Sequence, residues 1–344
     1  MEHRVTGAEL RVFREERRMN QPDFAAAINA RTGRAYDKGS VSRWENGRAP
    51  IPEEVAAWVH EAAAVQPAGI PARVGPAVVT AVANQKGGVG KTAVAVNLAY
   101  ALAKAGRKVL LIDCDPQGSA TIHLGVPPHE LEQQSKTLTH VLGRDVAAEA
   151  AIVPVLDGLF DLLGSSIVLA EVEVGLLADA TGTGALTMRE KIGEVCDLYD
   201  HIVLDCPPNL GLLSASALNA SDRVLVPSQA EMLSVLGIPL LVGTVAKVRR
   251  RVNPKLKILG IVPTQVHRRS QDAAMMAQLE AAAAQHGLRL FPPIRDSKVY
   301  PDSVTEGIPA LAVRNAVGAD VFTDLVGALQ EVEAEKKEGV HVQA

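Results

Sequence analysis

One stretch constrains this chain more than any other: Asn84-Gln85-Lys86-Gly87-Gly88-Val89-Gly90-Lys91-Thr92. The apolar run before it, Val78-Val79-Thr80-Ala81-Val82-Ala83, predicts a buried strand. The segment after it, Ala93 to Leu102, predicts a helix. Strand, glycine-rich loop and helix in that order make a cradle for a phosphate. Loop N–H groups point inward, and the helix N-terminus adds a positive partial charge. Gly87, Gly88 and Gly90 let the backbone close around the anion where a Cβ would clash. Lys91 is placed to reach β- and γ-phosphates, and the Thr92 hydroxyl to hold Mg²⁺.

The loop departs from the ordinary phosphate-loop pattern, which asks for glycine where this chain has Gln85. A second lysine, Lys86, precedes the glycine pair. The string resembles the deviant Walker A motif of the ParA/MinD group of ATPases. That resemblance implies ATP and Mg²⁺ as cofactors, with nucleotide held by Lys86, Gly87, Gly88, Val89, Gly90, Lys91 and Thr92. It also implies that Lys86 crosses a dimer interface to the partner subunit's nucleotide, and that Lys86 and Lys91 act in catalysis.

Two more strands end in carboxylates. Lys108-Val109-Leu110-Leu111-Ile112 runs into Asp113-Cys114-Asp115-Pro116-Gln117-Gly118, and Tyr199-Asp200-His201-Ile202-Val203-Leu204 into Asp205-Cys206-Pro207-Pro208. Ligands of open α/β sheets gather at such carboxyl ends. By the ParA-like pattern Asp115 orients the attacking water, Asp113 supports the metal or the switch loop, and Asp205 holds Mg²⁺ through water. Further apolar strands at 159–164, 224–227 and 256–264 alternate with helical stretches at 167–180, 186–198 and 234–252. The alternation predicts an α/β fold with a doubly wound, mostly parallel sheet. The resemblance to ParA-type partition ATPases extends through Pro293-Ile294-Arg295-Asp296-Ser297-Lys298 to Glu306-Gly307-Ile308-Pro309-Ala310. It departs at Ala93, where the family continues a run of threonines, and in a thinner basic string at Arg295 and Lys298.

Residues 1–65 read differently. Leu10 and Phe13 share a helical face, Asn20 and Pro22 start a second helix, and Gly47 stops a third that carries Val41 and Trp44 inward. The string Val41-Ser42-Arg43-Trp44-Glu45-Asn46-Gly47, with Gln21 and Ala25, resembles XRE-type helix-turn-helix domains. The resemblance implies a recognition helix over about 38–46 lying in the major groove. It makes Lys38 and Arg43 base readers, places Ser40 and Ser42 on the same helix, and assigns Gln21, Asn46 and Arg48 to phosphates. A small helical bundle for protein contacts is the alternative, since Lys/Arg and Asp/Glu nearly balance there.

Residues 66–77, with three prolines and two glycines, predict a linker. The ATPase domain is expected over 78–330 and a fraying acidic helix end over 331–344. Arg249, Arg250, Arg251, Arg268, Arg269, Arg295 and Lys298 fall at helix and strand ends that could converge on one DNA-binding face, or form a solvated charged face. A net charge of −4 excludes a uniformly basic nucleic-acid coat. The three cysteines have no metal-ligand or disulfide-framework spacing, so iron–sulfur chemistry is discounted and a reduced, cytoplasmic setting expected. No signal-peptide pattern or long apolar run is seen, and the acidic tail lacks a membrane-binding pattern.

The whole is similar to the larger plasmid-partition ParA proteins. The implied function is a DNA-segregation ATPase that forms a homodimer on ATP. It would bind nonspecific DNA on the nucleoid, bind operator DNA through residues 1–65, and be switched off when a ParB-like centromere-binding partner stimulates slow hydrolysis. An ATP-responsive repressor, with the ATPase domain as a dimerisation switch, is the alternative.

Overall fold

The computed structural model describes residues 5–16, 19–64, 77–144, 146–178, 184–209, 211–267, 270–314 and 316–341. Its contacts divide the chain into two compact units, Met1–Ala72 and Arg73–Ala344. Most of the expected linker lies outside the described residues.

The first unit holds four helices: α1 (Gly7–Glu16), α2 (Gln21–Thr32), α3 (Lys38–Glu45) and α4 (Glu53–Ala64). The Asn20 side chain caps α2 by accepting from Asp23 N, and Gly33 ends it in the left-handed region. Asp37 caps α3 by accepting from Ser40 N. Leu10, Phe13, Phe24, Ile28, Val41, Trp44, Val55 and Val59 form the core. A buried ion pair crosses it: Arg14 Nε meets Glu45, and Gln21 Nε2 donates to Glu45 Oε2 at 2.8 Å.

The second unit contains strands β1 (Val78–Val82), β2 (Val109–Asp113), β3 (Val153–Val155), β4 (Phe160–Leu163), β5 (His201–Asp205), β6 (Arg223–Gln229) and β7 (Lys257–Thr264). Its helices are α5 (Lys91–Lys104), α6 (Ser119–His123), α7 (Pro128–Gln133), α8 (Leu138–Gly143), α9 (Ala148–Ala151), α10 (Leu169–Ala178), α11 (Gly184–Gly193), α12 (Leu212–Ala220), α13 (Met232–Arg251), α14 (Ser270–Gln285), α15 (Val299–Glu306) and α16 (Ala319–His341). The described strands form one sheet in the order β3-β4-β2-β5-β1-β6-β7. Every pairing is parallel except β3 with β4.

Alternate residues of each strand serve opposite faces. Val79, Ala81, Leu110 and Ile112 join a core with Leu138, Met188, Leu213 and Val245. Val78, Val82 and Leu111 pack with Leu98 and Leu102 of α5 and with Phe322, Leu325 and Leu329 of α16. With both faces covered, β1, β2 and β5 are buried at every residue, which is why they read as continuous apolar runs. The fold is therefore the doubly wound α/β sheet expected.

Two features differ from expectation. β3 is a three-residue edge strand, too short for a periodic signal, whose Pro154 is tolerated at an edge. The chain beyond Gln330 does not fray within the described residues. It continues α16: Glu333 pairs with Arg107 at 3.1 Å, and Lys336 Nζ donates to Asp222 at 2.6 Å and to Ala77 O at 2.8 Å. Lys336 fastens the helix to the starts of β1 and β6, and Lys337 pairs with Glu333 within the helix at 2.7 Å. Among the described residues no helix is long and apolar enough to cross a membrane.

Candidate nucleotide-binding site

Strand order decides what meets at the site. β5 lies between β2 and β1, with Asp113 opposite Asp205 and Val82 opposite Asp205. The glycine-rich loop, which leaves the end of β1, therefore stands beside both strand-terminal carboxylates.

The loop is shaped for an anion. Gly88 and Gly90 have φ of +73° and +78°, a region that favours glycine. Gly87 does not, and among protein atoms a Cβ there would meet only Pro208 at 3.9 Å. Gly90 caps α5 with no side-chain hydrogen bond, leaving the first-turn N–H groups to face a ligand. The Lys91 side chain is buried, and Nζ donates to Lys86 O at 3.1 Å. Burial pulls its pKa below the ordinary lysine value, against the opposing pull of Asp205 and Asp115.

The three carboxylates have different surroundings. Asp113 is fully buried and fully used: Oδ2 accepts from Thr121 N at 2.9 Å and Thr121 Oγ1 at 2.8 Å, and Oδ1 accepts from Asp115 N at 3.1 Å. It braces the loop between β2 and α6, and burial raises its pKa to about 6. Asp115 is half-buried, and its Oδ1 accepts from Gln117 N at 2.9 Å. Asp205 is 1% exposed, and neither carboxylate oxygen has a hydrogen-bond partner among the described residues. Burial first, and the Asp113 charge second, push its pKa up. The nearby Thr92 hydroxyl and Lys91 oppose that shift.

A buried carboxylate without a partner, close to a hydroxyl, suits a hard cation with oxygen ligands. No cluster of three or more His, Cys, Asp or Glu side chains able to hold a metal occurs among the described residues. Mg²⁺ takes one or two protein ligands and completes its shell with phosphate and water. Thr92 and Asp205 are the residues that would hold it; Asp113, committed to Thr121, would act one step removed.

Five residues not singled out in the sequence shape the loop from the ends of β1, β6 and β7. Asn84 Nδ2 donates to Pro227 O at 2.6 Å, and Asn84 Oδ1 accepts from Lys86 N at 3.0 Å. Thr264 Oγ1 donates to Val89 O at 2.8 Å, and Gln265 Nε2 to Gly88 O at 2.9 Å. Lys86 Nζ donates to Gln229 Oε1 at 3.0 Å and pairs closely with Glu231. Beside Gly90, a cleft of about 120 Å³ is lined by Val94, Ile294, Arg295, Asp296 and Tyr300.

The proposed DNA contacts scatter. Lys38, Arg43, Asn46 and Arg48 are exposed, and Ser40 and Ser42 half-buried, on or just after α3. Arg43 Nη2 donates to Ser40 Oγ at 3.1 Å, and Asn46 Nδ2 to Ser42 O at 2.8 Å. Gln21 is tied to Glu45. Arg249, Arg250 and Arg251 are exposed on the last turn of α13, about 30 Å along the helix from its start beside the loop. Arg295 borders the cleft instead, and Lys298 precedes α15, so the structure does not gather these five cations at one end of the sheet. Arg268 and Arg269 lie outside the described residues.

Residues 77–258 match the AAA domain family. An uncharacterised protein of Mycobacterium tuberculosis is 42% identical over 192 residues, covering 56% of this chain and 59% of that protein, so the chain spans less than two thirds of that relative. The chromosome partitioning protein ParA of Caulobacter vibrioides is 39% identical over 204 residues, covering 59% of this chain and 75% of that protein. A crystal structure of cobyrinic acid a,c-diamide synthase from Mycobacterium smegmatis, with bound ATP analogue and magnesium, superposes with a TM-score of 0.62. It is 33% identical and covers 74% of this chain and 94% of that one. The loop from Asn84 to Thr92, with Asp205 beside it, fits those two ligands. On the family match, these relatives and the geometry of its phosphate loop, the chain belongs to the ParA-type P-loop ATPases of the AAA domain family.

Proposed function

We propose that this chain is a DNA-segregation ATPase whose dimer forms on ATP and whose hydrolysis releases it. The observation that carries the reading is the extra lysine. Lys86 stands at the mouth of the loop, apart from the buried Lys91, so one loop holds two cations with separate tasks. Lys91 serves the phosphates of its own subunit, and Lys86 serves those of a second copy. Asp115, half-exposed above the braced Asp113, orients the water, and Asp205 with Thr92 holds Mg²⁺. Catalysis is positioning plus charge neutralisation, so intrinsic turnover is slow and a ParB-like partner accelerates it.

In this reading the ATP-bound dimer grips nonspecific DNA on the nucleoid through exposed cations, chiefly Arg249, Arg250 and Arg251 on the last turn of α13. The four-helix unit binds operator DNA through α3, with Lys38 and Arg43 toward the bases. The exposure of those two side chains also favours a second reading, an ATP-responsive repressor. Operator binding untouched by Lys91→Ala, with no nonspecific binding in any nucleotide, selects it.

The test is Lys86→Ala. ATP binding to the monomer should persist, while ATP-dependent dimerisation and hydrolysis disappear. Normal turnover and dimerisation in that variant sink the assignment.

A further inference from the structure

The charge of Lys86 is neutralised within its own subunit. Its ammonium contacts Glu231 Oε2 and Gln229 Oε1. Glu231 occupies the N-cap position of α13, yet its carboxylate makes no capping bond to that helix. Ser, Thr, Asp and Asn are the side chains that ordinarily cap the first-turn N–H groups there, and glutamate is longer than any of them. Here it turns to the loop instead. Gln229 completes the arrangement: its carbonyl holds Lys86, while its amide donates to Gln265 Oε1 and toward Gly88 O. Gln265 itself holds Gly88 O from a left-handed backbone, φ +54°, that few non-glycine residues adopt. The ends of β6 and β7 thus bind both the signature lysine and the loop that must receive phosphate.

We infer that Glu231 is a latch on Lys86, a positioning residue that the phosphates of a nucleotide must displace before Lys86 can engage them. This rests on the proposed function and adds its regulation. Phosphate and the Glu231 carboxylate compete for one ammonium, so Glu231 sets how much ATP is needed to assemble the dimer. It also disfavours pairing of two chains by the same amount, because a lysine paired at home is less available to a second copy. The side chains of Lys86 and Glu231 are 32% and 49% exposed, so the competition is played out near solvent. Exposed pairs of this kind bias an equilibrium by no more than about fivefold, enough to tune assembly and too little to forbid it.

The test is a double-mutant cycle on the full chain, with dimerisation followed by sedimentation velocity as ATP is titrated and monomer binding followed by calorimetry. Glu231→Gln keeps the shape and removes the charge. It should lower the ATP concentration at half-dimerisation by about three- to fivefold. Glu231→Asp, one methylene shorter, should fall on the same side. In a Lys86→Ala background, where dimerisation is already lost, Glu231→Gln should leave monomer ATP binding unchanged, because the latch then has nothing to hold. An unchanged midpoint in Glu231→Gln overturns the latch, as does any change that Glu231→Gln makes to ATP binding with Lys86 absent. If the wild-type chain binds ATP but never dimerises, the proposed function falls first and the latch with it. If it dimerises normally and only the Glu231 variants are silent, the latch alone fails.

Discussion

At the residue scale, the site is built from backbone that only certain side chains allow. Gly90 combines φ +78° with the N-cap of α5. Gly90→Ala should cost about 1–2 kcal/mol of stability and remove ATP binding, read by thermal unfolding and by calorimetry; a variant with normal ATP affinity would refute the cradle. Lys91→Ala should lower hydrolysis at least about 100-fold, because charge neutralisation is most of what such a site supplies. Lys91, Thr92, Asp113 and Asp205 were legible because each stands at the end of an apolar run or in a glycine-rich string. Gln229, Glu231, Thr264 and Gln265 were not. Lys86 and Glu231 are 145 positions apart, and only the placement of β6 and β7 beside β1 joins them.

At the element scale, the central strands and the helices near 93, 169, 184 and 232 were read from the sequence, whereas α12, α14, the body of α16 and the short elements were not. The strands near 78, 109, 201, 223 and 257 are continuous apolar runs because helices cover both faces of the sheet. β3 and α6 to α9 are too brief for a period to register, and α6 exists largely because Asp113 holds its first turn through Thr121. α16 was read as fraying because its end is rich in charge, but those charges are partnered. The His201 imidazole, 3.6 Å from the carboxylate, is the largest cause holding Glu333 down to about 2, with Lys337 and Arg107 adding to it and burial opposing. A lowered carboxyl pKa stabilises the fold above the ordinary value near 4.5, and that contribution is lost as pH falls through about 2. Glu333→Gln should therefore lower the melting temperature at pH 7, and the gap to wild type should close progressively below pH 4.5; a gap independent of pH would mean packing rather than charge. In the first unit, Trp44 is 5% exposed and stands edge-on to Tyr36 at 4.9 Å. Trp44→Ala should cost about 3–5 kcal/mol, enough to unfold so small a unit. Limited proteolysis should then remove the N-terminal residues and leave a fragment that still hydrolyses ATP.

At the scale of the whole molecule, the chain is two units with separate cores. That division was legible from the proline- and glycine-rich stretch between them and from the change of pattern across it. Each unit carries its own candidate DNA surface: α3 in the first, exposed cations around the sheet in the second. The proposed function requires that the second grip DNA only when ATP has paired two copies, and that salt weaken the grip steeply because several phosphates are neutralised together. The most direct measurement is fluorescence anisotropy of a random-sequence duplex, titrated with the full chain and with residues 73–344, in ATP and in ADP. Tight, salt-sensitive binding in ATP alone, kept by the truncated chain and lost in Lys86→Ala, is the predicted result. Binding that ignores the nucleotide, or that vanishes with the N-terminal unit, would contradict the account and leave an ATP-responsive repressor in its place.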